Sequence, residues 1–236
     1  MCSPCQLSHL LATQPALVAS SPDLTGARYV DIHWGQQYCQ RGQWEKAENK
    51  FATALAYFAR SQDLIGVGKS LNGLSALYFE QGSHSRSLTY SQAAAAILED
   101  TAAKYEYAIA LYQLGISHCE LQNIFPAEQS LEKALTQFCQ LSNLEYENHS
   151  LIYLGRIYAQ QHKFLFALAC YESVLDSLIV NPFLENRREM LSTVLRAVAE
   201  LSQQHKAGKA MSMALQSVLE EYGLAAYHLQ VATHRQ

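Results

Sequence analysis

The chain has 236 residues, of which 49% are apolar and 16% are charged, and its formal net charge is −4. This length is sufficient for one or two domains with a sizeable core, and the composition is too apolar for a disordered chain. The slight acidic excess excludes the strongly basic surface that is typical of nucleic-acid-binding proteins. Because the sequence contains neither a long apolar run nor the pattern of a secretory signal, we expect a cytoplasmic protein without a membrane span.

Helices are predicted along the whole chain, since only 11 glycines and 5 prolines interrupt it and no strand-like alternation of β-branched residues occurs. Residues 1–27 are predicted to form an N-terminal arm, with a short helix around 6–12. Near the other end, after Gly223, apolar residues recur at helical spacing. This recurrence predicts a capping helix and tail over 222–236, which would cover the exposed apolar face of the preceding helices.

Between these ends, a pattern of small and large side chains recurs every 40 residues. The units begin at Arg28, Gly68, Ala108, Asn148 and Arg188. The twentieth position of each unit is small and reads Ala47, Ser87, Ala127, Ala167 and Ala207. The eighth and twenty-seventh positions are also mostly small, whereas the fourth, seventh, eleventh and twenty-fourth are mostly large and apolar. Helix backbones approach closely where side chains are small, so each unit predicts a pair of antiparallel helices.

Two stretches carry most of this pattern: WGQQYCQRGQWEKAENKFATALAYF in the first unit and YLGRIYAQQHKFLFALACYESVL in the fourth. They resemble the tetratricopeptide repeat (TPR) family, whose signature combines W/L-G-Y, G-x-W/Y-x-x-A and F-x-x-A. The second and fifth units are degenerate, with Ser75, Ser87, Ser91 and Leu195 at signature positions. The period of 40 residues is longer than the family's usual one of about 34 residues. In this respect the chain resembles the subclass of repeats with longer helices that is found in some bacterial regulators and motor-protein light chains.

The resemblance implies an all-α fold, an α-solenoid of about five TPR-like helix-turn-helix repeats wound into a right-handed superhelix. The repeats are assigned to 28–67, 68–107, 108–147, 148–187 and 188–221. Within them, Gly42 and Gly82 are predicted to lie in turns between helices. Asn181 and Pro182 are predicted to begin the first helix of the fifth repeat, as its N-cap and its first helical residue.

A nucleotide-binding alternative comes from GVGKS at 66–70, which ends like a phosphate-binding loop and would place Lys69 on a phosphate. Such a loop requires an earlier glycine where this chain has Asp63, and it requires a strand before the loop. Here we expect one helix to end at about residue 60 and the next to begin near Leu64. We therefore favour an ordinary helix start with an exposed lysine.

Metal binding and catalysis have weaker signals. Cys2, Cys5 and His9 have the ligand types and local spacing of a zinc site, but three ligands at a chain end leave it open, and we favour incidental thiols. Cys139 and Cys170 are predicted to be buried, small apolar residues. The nine histidines are spread along the chain, and no nucleophile, base and orienting group can be placed together. We therefore predict no enzyme activity, no cofactor and no metal.

In TPR proteins the concave groove is lined by positions two, five, nine, twelve and thirteen of each repeat, and the resemblance transfers these positions to this chain. The predicted partner-binding residues are Tyr29, Gln36, Lys69, Asn72, Phe79, Tyr112, Ile116, His149, Arg156 and Arg196. Lys69 and Asn72 alone resemble the family's clamp for a C-terminal carboxylate. Alternatively, the isoleucines at groove positions are lateral core between long helices: Ile32, Ile109, Ile116 and Ile152.

Three functions remain open at this point. The favoured one is an adaptor or assembly factor that holds a protein segment in the groove, with apolar anchors on Phe79 and Tyr112 and carboxylates on Arg156 and Arg196. The second is a regulator whose superhelix closes on a peptide or small ligand. The third is a nucleotide-dependent enzyme that acts through Lys69.

Overall fold

The structure is a computed structural model that describes residues 25–204, and nine helices occur in this part of the chain. They are α1 (Thr25–Gln40), α2 (Trp44–Ser61), α3 (Leu64–Glu80), α4 (His84–Leu98), α5 (Lys104–Glu120), α6 (Ile124–Gln140), α7 (Leu144–Gln160), α8 (Phe164–Val180) and α9 (Arg187–Gln204). The predicted helix at 6–12, the Cys2, Cys5 and His9 candidate and the predicted capping helix at 222–236 lie outside the described residues.

The helices follow the 40-residue period of the sequence. The second helices of the repeats begin at Trp44, His84, Ile124 and Phe164. The first helices α3, α5 and α7 begin at Leu64, Lys104 and Leu144, four residues before the predicted repeat starts. Gly42 and Gly82 occupy the turns after α1 and α3, with φ of 67° and 72°. These positive values favour glycine, so the predicted turns are confirmed.

The helices form two compact units, one ending at Gln137 and the other beginning at Phe138, so the division falls inside α6. In the first unit the helices α1, α2, α3 and α4 each pack on the helix that follows in the chain. The first helices are also in contact with one another, α1 with α3 and α3 with α5. In the second unit α7 packs on α8, α8 packs on α9, and α7 also contacts α9. Each unit is therefore a layered stack of antiparallel helix pairs.

Glycine at the eighth position of a repeat packs against the large side chain at the twenty-fourth. A Cβ atom on Gly35 would lie 2.6 Å from Cε1 of Phe51, and one on Gly155 would lie 2.5 Å from Cε1 of Tyr171. Because neither ring has room for such an atom, the two helices of these repeats can approach this closely only with glycine at that position. The predicted packing of small against large side chains is confirmed.

The degenerate second repeat replaces this contact with hydrogen bonds between buried serines. The Ser75 hydroxyl donates to the carbonyl oxygen of Ser87 at 3.0 Å, and the Oγ atoms of Ser87 and Ser117 are 2.8 Å apart. All three side chains are fully buried. Because each hydroxyl has a hydrogen-bond partner, burying these serines does not cost the free energy that an unpaired buried polar group would cost.

One large residue at a core position of the pattern remains exposed. Trp34 is 44% exposed, whereas Leu74 and Leu154 at the same repeat position are buried. The first helix α3 packs on both helices of the preceding repeat, whereas among the described residues no helix precedes α1. Trp34 instead contacts Tyr38, with ring centroids 6.0 Å apart.

The prediction that Asn181 and Pro182 begin the first helix of the fifth repeat is wrong. Asn181 caps the C-terminus of α8, and its side-chain amide donates to the carbonyl oxygen of Ser177 at 2.9 Å. Pro182 lies in the turn that follows, and α9 begins only at Arg187. Because the Asn181 side chain serves the preceding helix, it cannot act as the N-cap of the next one.

We expect Ala167→Leu to lower the free energy of unfolding by about 1–3 kcal/mol, because Ala167 is fully buried in α8 and a larger side chain would overpack the helix contact. Thermal unfolding followed by circular dichroism measures this loss. Ala169→Leu is the matched control, since Ala169 lies on the exposed side of the same helix and should tolerate the change. Equal melting temperatures for the two variants would contradict the assigned packing.

Candidate partner-binding site

The first helix of the second repeat, α3, is buried on almost every side. Between residues 66 and 78 every residue is buried except Lys69 and Ala76, and Phe79 and Glu80 follow as partly or fully exposed residues. These four occupy positions two, nine, twelve and thirteen of the repeat, which are groove positions in the TPR pattern. The accessible stripe of α3 therefore coincides with four of the five positions at which the sequence predicts partner contacts.

Two predicted site residues of the first unit, Tyr29 and Lys69, take part in contacts between first helices. The Tyr29 hydroxyl donates to Oδ2 of Asp63 at 2.8 Å. Lys69 Nζ lies 2.9 Å from Oε1 of Glu106 and 5.4 Å from the centroid of the Tyr29 ring. Burial, together with the hydrogen bond to Asp63, raises the pKa of Tyr29 to about 12, so its hydroxyl stays protonated at neutral pH. Lys69 thus contacts side chains of both α1 and α5.

Asn72 also bridges two first helices. Its side chain is only 7% exposed, and its amide nitrogen donates to the backbone carbonyl of Glu106 at 2.9 Å. A partner segment could reach this side chain only by displacing that hydrogen bond. The predicted role of Asn72 in partner binding stays a prediction, and in the structure its amide nitrogen donates within the chain.

The other predicted residues of the first unit differ in how accessible they are. Gln36 on α1 is exposed, and Tyr112 on α5 is half-buried. Phe79 is half-buried, with its ring 5.1 Å from that of His84 in an edge-to-face arrangement. Ile116 is only 5% exposed, which agrees with the alternative that it is lateral core. Phe79 and Tyr112 therefore keep part of their aromatic surface accessible.

The second unit holds the remaining three predicted residues. His149 on α7 is half-buried, and burial lowers its pKa although the carboxylates of Glu145 and Glu189 oppose this shift. Arg156 on α7 has its guanidinium carbon 5.1 Å above the centroid of the Tyr153 ring. Arg196 on α9 is exposed. At neutral pH His149 is therefore mainly uncharged, and the two arginines carry the positive charge of the predicted site.

Arg156 also lines a cavity of about 360 Å³ in the second unit. The lining residues come from α7, α8, α9 and the turn after α7: Arg156, Ala159, Gln160, His162, Tyr171, Ala197, Glu200 and Leu201. The sequence placed Ala159, Gln160 and Glu200 at groove positions but indicated no cavity. The signal for a cavity in the sequence was the small Ala159 at the twelfth position of the fourth repeat, where the second repeat has the larger Phe79.

The GVGKS segment forms the beginning of α3 rather than a loop. The Asp63 side chain caps this helix by accepting a hydrogen bond from the backbone nitrogen of Gly66 at 2.9 Å. A carboxylate thus occupies the helix N-terminus where a phosphate would have to bind, and Lys69 is paired with Glu106. These contacts disfavour the nucleotide alternative.

Within residues 25–204 no three His, Cys, Asp or Glu side chains are grouped so that they could hold a metal ion. The thiols of this region form no disulfide bond: Cys39, Cys119, Cys139 and Cys170. Cys139 is exposed and Cys170 is half-buried, so the prediction that both are buried is wrong. Cys139 follows the buried Phe138 on α6, and a residue next to a buried one on a helix points in a different direction, here away from the core.

Within residues 25–204 no helix is long and apolar enough to cross a membrane.

No family model matches the sequence. No curated protein matches it either.

Solved structures, in contrast, share its fold. A crystal structure of nearly identical TPR-like repeats from Podosopora anserina, described as a kinesin light chain, matches with a TM-score of 0.64 and 16% identity, covering 91% of this chain and 100% of that chain. A single-residue variant of it matches with a TM-score of 0.65 and 14% identity, covering 86% and 99%. A STAND signal-transduction ATPase with a tetratricopeptide repeat sensor from Pyrococcus horikoshii matches with a TM-score of 0.64 and 13% identity, covering 96% of this chain and 39% of that chain.

We expect Asn72→Asp to destabilise the first unit more than Asn72→Ala at neutral pH, because an ionised carboxylate would be buried against the Glu106 carbonyl. Burial raises the pKa of such a carboxyl, and once protonated it can donate to that carbonyl. The difference in melting temperature between the two variants should therefore shrink as the pH falls below about 5. A difference that does not depend on pH would contradict the burial of Asn72 against α5.

Proposed function

Because the described part of this chain has the TPR-type repeat fold, we propose that the protein is a non-enzymatic scaffold that binds a segment of a partner protein. In this proposal the partner contacts the accessible faces of the first helices. The protein then acts as an adaptor or assembly factor, and its location is the cytoplasm.

The observation that carries this proposal is the division of the first helix α9 into a packed face and an accessible face. On α9 the groove positions are all partly or fully exposed: Glu189, Ser192, Arg196, Ala199 and Glu200. The residues between them form the core of the second unit: Met190, Leu191, Val194, Leu195 and Val198. Since the core uses the opposite face, a partner can bind this one without unfolding the repeat.

The accessible side chains indicate the chemistry of the partner segment. In the first unit Phe79 and Tyr112 offer aromatic surface, and partly buried aromatic residues are the usual anchors of protein interfaces. In the second unit Arg156 and Arg196 can each hold a carboxylate. We therefore propose a segment that carries apolar anchor residues and acidic residues.

A second candidate function, regulation by a small ligand, is favoured by the cavity of about 360 Å³ in the second unit. Ligand pockets have volumes from about 300 Å³ upward, so this cavity has the size for a small molecule. The third candidate, a nucleotide-dependent enzyme, has no comparable support because Lys69 is paired with Glu106.

Phe79→Ala and Tyr112→Ala should each weaken partner binding by roughly 1–3 kcal/mol, the loss expected when an interface anchor is truncated. The partner is first isolated with the wild-type chain by cross-linked affinity capture, and its affinity for each variant is then measured by calorimetry. Lys46→Ala is the control, because Lys46 is exposed on the second helix α2. A partner that loses affinity for Lys46→Ala but not for the aromatic variants would use the other face.

Glu48, which lies on the same helix as Lys46, is not a suitable control. It is half-buried and accepts a 2.7 Å hydrogen bond from the hydroxyl of the buried Tyr78. A substitution there would disturb the contact between α2 and α3.

Arg156→Ala and Arg196→Ala should weaken partner binding more at low salt than at high salt, since screening reduces the contribution of exposed charges. The affinity of each variant relative to wild type is measured across a salt series. An affinity loss that is the same at every salt concentration would show that the arginines do not bind carboxylates of the partner.

A further inference from the structure

The cavity of the second unit combines apolar surface with two opposite charges. Ala159, Ala197 and Leu201 supply apolar surface, and Tyr171, which is 1% exposed, also lines the cavity. The volume of about 360 Å³ lies at the small end of the range for ligand pockets. An aliphatic side chain of a small ligand could therefore be covered there.

The two charges come from different helices and act on the same tyrosine. Arg156 lies on α7 and Glu200 on α9, and both line the cavity. Burial raises the pKa of Tyr171, the Arg156 guanidinium acts to lower it, and the Glu200 carboxylate acts to raise it. Both charged groups are therefore close to the Tyr171 phenol. The phenol itself stays neutral at physiological pH and can donate or accept a hydrogen bond.

We propose that this cavity binds a small zwitterionic ligand, an α-amino acid with an aliphatic side chain. Its carboxylate pairs with Arg156, its ammonium group pairs with Glu200, and its side chain lies against Ala159, Ala197 and Leu201. The site requires no partner protein, so the inference goes beyond the proposed scaffold function.

The charge pattern distinguishes this ligand from simpler ones. An anion without a positive group would meet the Glu200 carboxylate, and a cation without a negative group would meet the Arg156 guanidinium. A neutral apolar ligand would remove water from both charged groups without replacing their hydrogen bonds, which is costly. A ligand that carries both charges next to an apolar side chain avoids all three penalties.

The test compares L-leucine with two analogues that each lack one charge, using the full chain and amide chemical shifts measured by NMR. L-Leucinamide lacks the carboxylate and 4-methylpentanoate lacks the ammonium group. We expect L-leucine to bind with a dissociation constant of roughly 1 mM or below and to shift amides of α7 and α9. Each analogue should bind about tenfold more weakly or not at all, because one charge pair is lost.

Two variants assign the charges to their residues. Arg156→Gln and Glu200→Gln should each weaken leucine binding by about tenfold or more. Glu200 is exposed, so its replacement should leave the fold intact, and circular dichroism checks this for both variants. Arg188→Gln is the matched control, because Arg188 is an exposed arginine of α9 that does not line the cavity. It should bind leucine like the wild type.

Equal binding of leucine and both analogues would show a merely apolar pocket and overturn the proposal. The absence of leucine-dependent shifts up to roughly tenfold above the expected dissociation constant would also overturn it. Neither result bears on the scaffold function, which is judged by the effect of Phe79→Ala and Tyr112→Ala on partner binding in the first unit.

Discussion

The close approach between the two helices of a repeat is the contact on which the rest of the structure depends. Where glycine stands at the eighth position, the large side chain at the twenty-fourth lies directly on the helix backbone, as Phe51 does on Gly35 and Tyr171 on Gly155. The same Phe51 ring also lies within 2.3 Å of a Cβ that would be added to Gly73 in the following repeat. One ring therefore fills the space left by two glycines, which links neighbouring repeats as well as the helices within one.

The second repeat shows that close helix approach does not require this ring. Ser75, Ser87 and Ser117 are fully buried, and their hydroxyls bond to one another instead of to water. A serine occupies little more volume than an alanine, so these hydrogen-bonded side chains leave room for the helix backbones to approach each other. A repeat that deviates from the family pattern can thus keep its helices in place.

The size of the side chains at groove positions decides what each unit offers to other molecules. In the first unit Lys69 and Asn72 reach the neighbouring helix α5, so their polar groups stabilise the stack, while Phe79 and Tyr112 keep accessible aromatic surface. In the second unit Ala159 and Ala197 are too short to fill the space beside them, and a cavity with Arg156 and Glu200 remains. Small residues at these positions therefore leave a cavity in the second unit.

The sequence by itself determined the all-α repeat fold, since the alternation of small and large residues every 40 positions specifies which helix faces meet. It also determined turns such as Gly42, because a positive φ favours one residue type. Only the tertiary structure decided that Asn181 ends a helix instead of beginning one, that Lys69 and Asn72 bond to α5, and that Arg156 lines a cavity. The Asn181 amide bonds to a carbonyl of its own helix, and an asparagine is suited to either end of a helix. The contacts of Lys69, Asn72 and Arg156 depend on which side chains meet across helices, and periodicity along one helix does not contain that information.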